Sequence, residues 1–569
     1  MKRWVLLAGI VILGAAAVVL TQKRRVDVRA SPAALLNFVA DSERDLLRMP
    51  TDFTRMPDQG EIRIGNELAN LYIERQGTKK VTEEDFVSDY LTRVGEQVAK
   101  GAHRKLPYQF HYLTQQGMVN AFALPGGHIF VGARLLALMD SEDELAAVLG
   151  HEIEHIDHYH CAERAQRELA LRHVPLGELI SLPMQIFEAG YGKDQELEAD
   201  REGVRLAVAT GYSATGAIRM FEAFARLHEE YEGTDKTPQD EAARVAKQTL
   251  EGYFRSHPLP AERIAQIQKL IASENWGVRA ERDLQVAFIF QTAKALGALH
   301  AGNYKQAEEL ANYSLVLRPD QLKALEVLAP AQFSQANFLG ASKTFRRILQ
   351  IEPTNAEMIT SFARALAAAD KKSALSEFQS WASGLTVAKP LSEQVAAAGL
   401  ELLSGKQESA QQLEKMLPQD GSPQAAEGLG ELGWWHYLAG EYPRAVELLG
   451  LAVERSPDDR RWRLRLGWAD IEVRQYSDAL GILDSVTYAP GTESEKAMAR
   501  AVARWCAAGK DKAMEDFGEA IRESKSEWQN SQLMKALYSP MTAQSIAQMN
   551  DEAERRQEKA NAVADRHRP

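Results

Sequence analysis

A repeat of about 34 residues governs the second half of the chain and limits the folds that this half can adopt. The stretches "GNYKQAEELANYSLVLRP" and "ANFLGASKTFRRILQIEP" align with an offset of 34, which pairs Tyr304 with Phe338. Alanine then returns at spacings of 34, 33, 36, 35, 34 and 34, at Ala307, Ala341, Ala374, Ala410, Ala445, Ala479 and Ala513. Such a period is typical of stacked helical hairpins. We therefore predict about seven hairpins over residues 284–545.

The recurring residues have distinct packing roles. A small alanine lets the two helices of a hairpin approach, the aromatic residue three positions earlier packs between them, and a proline such as Pro319 or Pro353 ends the second helix. Ala374 and Ala410 lie in copies that lack the aromatic residue. The pattern resembles the tetratricopeptide repeat (TPR), which implies an α-solenoid that holds a protein partner on its concave face.

Length, charge and cysteine content restrict the rest of the chain. A single hydrophobic core stops growing at roughly 250 to 300 residues, so a chain of 569 residues is expected to form two or more domains. The net charge of −12 argues against a nucleic-acid partner. The two cysteines, Cys161 and Cys506, form no CxxC pair, so a metal site in this chain must use histidine and carboxylate ligands.

The chain opens with two basic residues and an apolar run from Trp4 to Leu20. The run is long for a signal peptide and short for a membrane span. We interpret residues 1–30 as an export signal or an inner-membrane anchor and residues 31–59 as a linker, which predicts a location in the periplasm or cell envelope. The basic residues Lys23, Arg24 and Arg25 behind the run favour the opposite orientation by the positive-inside rule. A cytoplasm-facing anchor therefore stays open as an alternative.

The stretch "AAVLGHEIEHIDHYH" contains the pattern HExxH on a predicted helix. His151 and His155 are four residues apart and share one helix face, and Glu152 lies beside them. Such a pair suits Zn²⁺, one per chain, with Glu152 as the general base that activates a zinc-bound water. A straight helix rises about 10.5 Å over seven residues, which disfavours His158 as third ligand. We interpret His158 and His160 as polar residues of the helix end.

A second helical pattern, "YGKDQELEADREGVRLAV", carries three acidic residues. Glu196 and Asp200 are four residues apart and share one face, so one can bind the metal while the other accepts an N–H from a ligand histidine. We interpret Glu198 as a surface acid.

The stretch "MVNAFALPGGHIFVGARLL" predicts a β-hairpin, with β-compatible runs at residues 118–124 and 128–132 around the turn signal Pro125-Gly126-Gly127. Together with HExxH and "ELEAD", the segment "NAFALPGG" resembles the gluzincin metallopeptidases of the HtpX and Oma type. Within that family the resemblance is to BepA-like envelope proteases that carry TPR repeats, and it covers about Gly60 to Ile271.

The predicted fold class is mainly α. A helical zinc-metallopeptidase domain with a small β-hairpin or sheet spans residues 60–275, an α-solenoid of TPR-like repeats spans residues 284–545, and a charged, disordered tail spans residues 546–569.

The resemblance implies a role for each matching residue. It makes His151, His155 and Glu196 the zinc ligands, Glu152 the base, and Asp200 the residue that orients a ligand histidine. It also implies that one hairpin strand pairs with extended substrate, and this strand consists of Asn120, Ala121, Phe122 and Ala123.

His257 lies in "HPLPAER", which resembles another family segment completed by Arg263. Three roles stay open for His257. It stabilises the oxyanion during catalysis, it closes the open zinc position as a latch, or it is a loop histidine satisfied by the backbone.

Two functions from different classes follow. The first is a zinc endopeptidase that cleaves unfolded or misassembled envelope proteins, with the repeats recruiting substrates or docking on the outer-membrane assembly machinery. The alternative is a TPR chaperone or adaptor with a latched or non-proteolytic zinc domain. The complete HExxH favours the first function, because a structural zinc site has little need of a base such as Glu152.

Overall fold

The computed structural model describes residues 56–76, 82–114, 120–171, 191–232, 260–385, 389–486 and 493–566. The chain divides into two compact units, residues 1–283 and 284–569. Both units are mainly helical, which confirms the predicted fold class.

In its described part the first unit contains eight α-helices, a short 3₁₀ helix at Pro125–Gly127 and three strands. The helices are α1 Asp58–Gln76, α2 Thr82–Ala99, α3 Ala133–Leu136, α4 Glu142–Asp157, α5 His160–Leu171, α6 Lys193–Ala209, α7 Thr215–Glu232 and α8 Pro260–Glu274. The strands are β1 Gln109–Leu113, β2 Ala121–Leu124 and β3 His128–Gly132.

The three strands form one sheet in the order β1-β3-β2. Strands β2 and β3 pair antiparallel around the predicted turn, so this part of the hairpin prediction is confirmed. Gly126 takes φ 78° in the turn, where a Cβ would lie 2.6 Å from Ile62 Cα, so the turn requires glycine. Strand β1 joins the other side of β3 in parallel. The sheet is therefore larger than a hairpin, and β2 lies at one edge.

Helix α4 carries the HExxH pattern and is capped at its N-terminus by Ser141. The Ser141 side chain accepts a hydrogen bond from the Glu144 N–H at 3.2 Å. The Glu144 carboxylate in turn accepts a hydrogen bond from the Asp140 N–H, at 2.9 Å. The helix ends at Asp157, and Tyr159 has φ 63°, so the chain turns sharply before α5 begins at His160. This break decides where His160 lies.

The second unit contains seven consecutive helical hairpins within its described residues. Their helix pairs are α9 Ala287–His300 with α10 Tyr304–Leu317, α11 Leu322–Ser334 with α12 Phe338–Ile351, α13 Ala356–Ala369 with α14 Ala374–Ser383, α15 Leu391–Leu403 with α16 Glu408–Met416, α17 Pro423–Ala439 with α18 Tyr442–Arg455, α19 Arg460–Glu472 with α20 Tyr476–Asp484, and α21 Glu493–Cys506 with α22 Lys510–Trp528.

The repeated alanines all lie in the second helix of a hairpin and are at most 2% exposed. In five hairpins the alanine is the fourth residue of its helix and the first residue is aromatic or, in α22, lysine. The copies with Ala374 and Ala410 have short second helices, Ala374–Ser383 and Glu408–Met416. The aromatic residue does not set the helix length, however, because α20 Tyr476–Asp484 is equally short with Tyr476 and α22 Lys510–Trp528 is long without an aromatic residue at its start.

The C-terminal part of the chain packs on the first helices of the later hairpins. It forms α23 Ser531–Leu537 and α24 Pro540–Arg566. The Tyr538 ring lies 4.7 Å from the Trp468 ring, and Ser539 donates from its hydroxyl to Glu472 at 2.5 Å. This segment therefore covers part of α19 Arg460–Glu472, the first helix of the sixth hairpin.

The disordered tail predicted for residues 546–569 was wrong for its described part. Helix α24 continues to Arg566. Its first half buries Ile546 and Met549, which are 1% and 0% exposed, while Glu552 pairs with Arg556 four residues later at 3.0 Å. Burial of apolar residues stabilises the first half of this helix, and ion pairs stabilise its exposed half. The high charge content of the segment had suggested disorder instead.

In the described ranges, no helix combines the length and the apolar character needed to cross a membrane. The predicted signal or anchor at residues 1–30 lies outside the described residues.

Candidate active site

His151, His155 and Glu196 converge at one point between α4 and α6. The Nε2 atoms of the two histidines are 3.1 Å apart. Glu196 places one carboxylate oxygen 3.5 Å from His151 Nε2 and the other 3.7 Å from His155 Nε2. All three side chains are buried. The three ligands predicted from the sequence are thus brought together, although Glu196 lies on a different helix.

These distances fit a single zinc ion. Ligand atoms about 2.0 to 2.1 Å from one zinc lie about 3.3 to 3.4 Å apart at the tetrahedral angle. The two histidine nitrogens are 3.1 Å apart, and one ligand atom from each of the three residues lies within 4.8 Å of the other two. Two imidazoles and one carboxylate are also the donor set of catalytic zinc sites, which leave the fourth position to water or substrate.

Close contact between α4 and α6 brings these ligands together. A Cβ on Gly203 would lie 2.6 Å from the His151 backbone nitrogen, and a Cβ on Gly150 would lie 2.5 Å from the Gly203 carbonyl oxygen. The backbones of the two helices therefore touch beside the ligands. Glycine at both positions allows Glu196 to reach the histidines.

Glu152 lies in a narrow, mainly apolar cavity next to the ligands. The cavity is lined also by Ala121, Val148 and His151. Burial raises the pKa of Glu152 to about 7, with His151 opposing the shift and Glu196 adding to it. A carboxyl group with a pKa near neutrality can both accept and release a proton, as a general base and acid must.

Asp200 lies behind His151, on the side away from the ligand cluster. Its Oδ1 is 2.9 Å from His151 Nδ1. Arg263 holds the same carboxylate with Nε 2.6 Å from Oδ2. Burial opposes ionisation, but the charge and hydrogen bonds of Arg263 keep the pKa of Asp200 below its usual value. The hydrogen bonds of His151 to Asp200 and Glu196 outweigh its burial and raise its pKa to about 10.

Two residues that the sequence analysis did not connect with the site, His160 and Tyr191, lie against His155. The Nδ1 atom of His160 is 2.9 Å from His155 Nδ1. The Tyr191 ring stacks on the His155 ring at 4.0 Å, and the Tyr191 N–H donates to Glu196 at 3.0 Å. His160 is 4% exposed, so its interpretation as a polar residue of the helix end was wrong.

The predicted substrate strand borders the same cavity through Ala121. The Gly132 N–H donates to the Asn120 carbonyl at 3.0 Å, which makes these two residues a hydrogen-bonded pair of the β2–β3 ladder. In an antiparallel ladder the next residue directs its backbone N–H and C=O to the other side. The peptide groups of Ala121 therefore point away from β3.

Comparison with known proteins relates this site to a protein family. Residues 87–271 match Peptidase family M48. This range contains β2, the two helices that carry the predicted metal ligands, and Arg263. The chain carries an M48 peptidase domain.

Relatives of known name match parts of this chain. The "Beta-barrel assembly-enhancing protease" of Escherichia coli is 24% identical over 332 residues, which cover 53% of this chain and 64% of that protein. The "Mitochondrial metalloendopeptidase OMA1" of Arabidopsis thaliana is 30% identical over 123 residues, 20% of this chain and 25% of that one. The match thus spans slightly less than two thirds of the length of the first relative.

Among solved structures, a tetratricopeptide repeat protein from Parabacteroides merdae covers 45% of this chain and 98% of its own length at 14% identity. Its TM-score is 0.28, which identifies neither a function nor a common overall fold.

One predicted residue of the M48 domain, His257, lies outside the described residues, so its three roles stay predictions. Arg263, which completes the same sequence segment, is described and binds Asp200.

Proposed function

We propose that the chain is a zinc-dependent endopeptidase, and the observation that carries this proposal is the convergence of His151, His155 and Glu196 beside Glu152. These three residues would hold the ion, because one ligand atom from each lies within 4.8 Å of the other two and they form the donor set of a catalytic zinc site. Zinc supplies Lewis-acid chemistry that polarises the scissile carbonyl and makes an attacking water more acidic.

In the proposed reaction Glu152 takes a proton from the attacking water as the new C–O bond forms. It then delivers this proton to the departing amine nitrogen as the C–N bond breaks. The raised pKa of Glu152, about 7 before any metal charge is added, favours the second transfer. Asp200 and Arg263 hold the ring of His151 throughout, because both are buried and hydrogen-bonded behind it.

The proposed substrate is an extended segment of an unfolded or misassembled protein. A peptide that pairs with the outward peptide groups of Ala121 at the edge of the sheet would lie along the cavity that holds Glu152. The Asn120 Oδ1 atom is buried and has no hydrogen-bond donor among the described residues, so a substrate N–H can satisfy it. Main-chain pairing of this kind leaves the substrate side chains free to vary.

We further propose that the protein works in the cell envelope and that the helical hairpins recruit substrates or an outer-membrane assembly partner. The apolar run after Lys2 and Arg3 supports export. The name of the Escherichia coli relative, a beta-barrel assembly-enhancing protease, supports the partner class. A fusion of residues 1–30 to a reporter that is active only outside the cytoplasm tests the location. An inactive reporter would refute it.

The test of the chemistry compares the wild type with Glu152→Gln for zinc content and for cleavage of a denatured protein. We expect one zinc per chain in both and a loss of cleavage of about 10²- to 10⁴-fold in the variant. Glu154→Gln is the matched control, because Glu154 is equally buried on the same helix but pairs with His158.

Two outcomes would contradict the proposal. Equal cleavage by Glu152→Gln and the wild type would remove Glu152 as the base. Zinc uptake without cleavage by the wild type would favour the chaperone or adaptor function instead.

A further inference from the structure

The two ring nitrogens of His155 face different surroundings. Its Nε2 atom is 3.1 Å from His151 Nε2 and 3.7 Å from Glu196, on the side of the proposed metal. Its Nδ1 atom is 2.9 Å from Nδ1 of His160. The ligand atom of His155 is therefore Nε2, and His160 contacts the opposite nitrogen.

His160 connects His155 to an acidic residue of α6. The Nε2 atom of His160 lies 3.4 Å from the Glu198 carboxylate. The His160 side chain is 4% exposed, whereas that of Glu198 is 38% exposed. Glu198, His160 and His155 thus form a row of polar contacts that runs from the solvent-facing edge of α6 to Nδ1 of His155.

Only one arrangement of protons suits the contacts among His155, His160 and Glu198 when His155 binds a metal. A neutral imidazole has one N–H donor and one acceptor nitrogen. With Nε2 of His155 as ligand, its proton resides on Nδ1 and is donated to Nδ1 of His160. His160 must then carry its own proton on Nε2, which faces Glu198. Two Nδ1–H groups at 2.9 Å would repel each other, so the opposite tautomer of His160 is excluded.

We propose that His160, supported by Glu198, is the positioning residue that fixes the ring and the tautomer of His155 for metal binding. The inference rests on the proposed zinc site. It gives each ligand histidine a separate partner, since Asp200 and Arg263 hold His151. The Tyr191 ring stacks on the face of His155 at 4.0 Å and restrains its plane, but a stacked ring cannot accept the in-plane Nδ1–H.

The break at Tyr159 makes this contact possible. Five residues along a straight helix rotate a side chain by about 500°, which would place His160 some 140° away from His155 around the axis. The left-handed conformation of Tyr159, φ 63°, ends α4 and starts α5 in a new direction. His160 thereby returns to the ring of His155.

The test compares two substitutions of His160 that differ in hydrogen-bond acceptance. In His160→Asn the Oδ1 atom replaces Nδ1 as an acceptor, whereas His160→Leu removes it. We expect zinc affinity, measured by competition with a chelator on the full chain, to fall about 10- to 100-fold in His160→Leu. His160→Asn is expected to retain most of the affinity.

His158→Leu is the matched control. His158 is two residues away and pairs with Glu154 at 2.9 Å, with no contact to a metal ligand among the described residues. We expect unchanged zinc affinity in this variant. Equal losses in His160→Asn and His160→Leu would show that His160 only fills space, and no loss in either would also overturn the proposal.

A second measurement does not depend on how well the His160 variants fold. ¹⁵N NMR of the histidine-labelled, zinc-loaded wild type should show the proton of His155 on Nδ1 and that of His160 on Nε2. A His160 proton on Nδ1 would overturn the proposal. A wild type that takes up no zinc would instead refute the proposed function, so the two failures are distinguishable.

Discussion

Arg263 and Asp200 form a buried, two-pronged ion pair, with Nε 2.6 Å from Oδ2 and Nη2 2.5 Å from Oδ1. Both residues are 2% exposed. The carboxylate also lies 2.9 Å from His151 Nδ1, so the pair connects α8 to a proposed metal ligand. Such a contact orients the imidazole and raises its basicity toward a metal.

Arg263→Met is expected to weaken both folding and zinc binding. It leaves Asp200 buried without its cation, which costs about 3 to 5 kcal/mol of unfolding free energy. Zinc affinity should fall about 10- to 100-fold, because His151 loses a fixed partner. Denaturant titration and chelator competition measure the two effects.

The double variant Arg263→Met with Asp200→Asn is the control for the ion pair. It removes the uncompensated charge but keeps an acceptor for His151, so most of the lost unfolding free energy should return. If Arg263→Met alone were as stable as the double variant, the unpaired charge of Asp200 would not be the cause of the lost stability.

Gly203→Ala is expected to separate the two ligand helices. The added Cβ would lie 2.6 Å from the His151 backbone nitrogen, with no flexible side chain that can yield. Overpacking of this kind costs about 1 to 3 kcal/mol, and the displacement of Glu196 from the histidines should reduce zinc affinity about 10-fold or more. Gly297→Ala, in a helix with nothing within 4 Å of the new Cβ, should leave zinc binding unchanged. Normal zinc affinity in Gly203→Ala would show that the helix contact does not set the ligand geometry.

The histidine pair of the sheet predicts a loss of stability in mild acid. The rings of His111 and His128 stack at 5.3 Å, with Nε2 of His111 3.0 Å from Nδ1 of His128. Burial lowers the pKa of His128 to about 4, and burial together with the neighbouring His128 lowers the pKa of His111 to about 4. The unfolded chain, with a histidine pKa of about 6.5, then binds more protons than the folded chain between pH 6.5 and 4.

The contribution of the pair to the free energy of unfolding is therefore complete above about pH 6.5. It decreases as the pH falls toward 4, by on the order of 2 to 3 kcal/mol for each histidine. His111→Phe, which keeps a ring in the stack, should reduce the dependence of the unfolding free energy on pH between 6.5 and 4, as measured in unfolding experiments at several pH values. An unchanged slope would mean that other groups dominate the acid sensitivity.

Asp470→Asn is expected to stabilise the second unit at alkaline pH. Asp470 is 5% exposed on α19, and burial together with the negative charge of Asp478 raises its pKa to about 7. A raised pKa favours the protonated form in the fold. The stability contributed by this group is therefore complete below about pH 4 and lost as the pH rises through 7.

Asparagine keeps the shape and removes the charge. The unfolding free energy should therefore rise by on the order of 2 kcal/mol at pH 8 and by less at pH 5. Thermal unfolding at the two pH values measures the difference. Destabilisation at pH 8 would indicate that the ionised carboxylate has a stabilising partner.

The sequence by itself determined the features that depend on local backbone geometry. Helical periodicity places His151 and His155 on one face, because four residues make slightly more than one turn. The 34-residue period identified the hairpins, because each needs a small residue such as Ala307 where its helices touch. Pro125 and Gly126 indicated the turn between β2 and β3 because few residues suit its dihedral angles.

Only the tertiary structure decided the contacts between distant segments. The resemblance assigned Glu196 as a ligand, but its position depends on the backbone contact between Gly150 and Gly203. The packing of α24 likewise depends on its apolar residues, such as Met549, meeting the hairpins. His160 escaped prediction because its contact with His155 needs a left-handed residue at Tyr159, and sequence patterns rarely reveal such a conformation in a non-glycine residue.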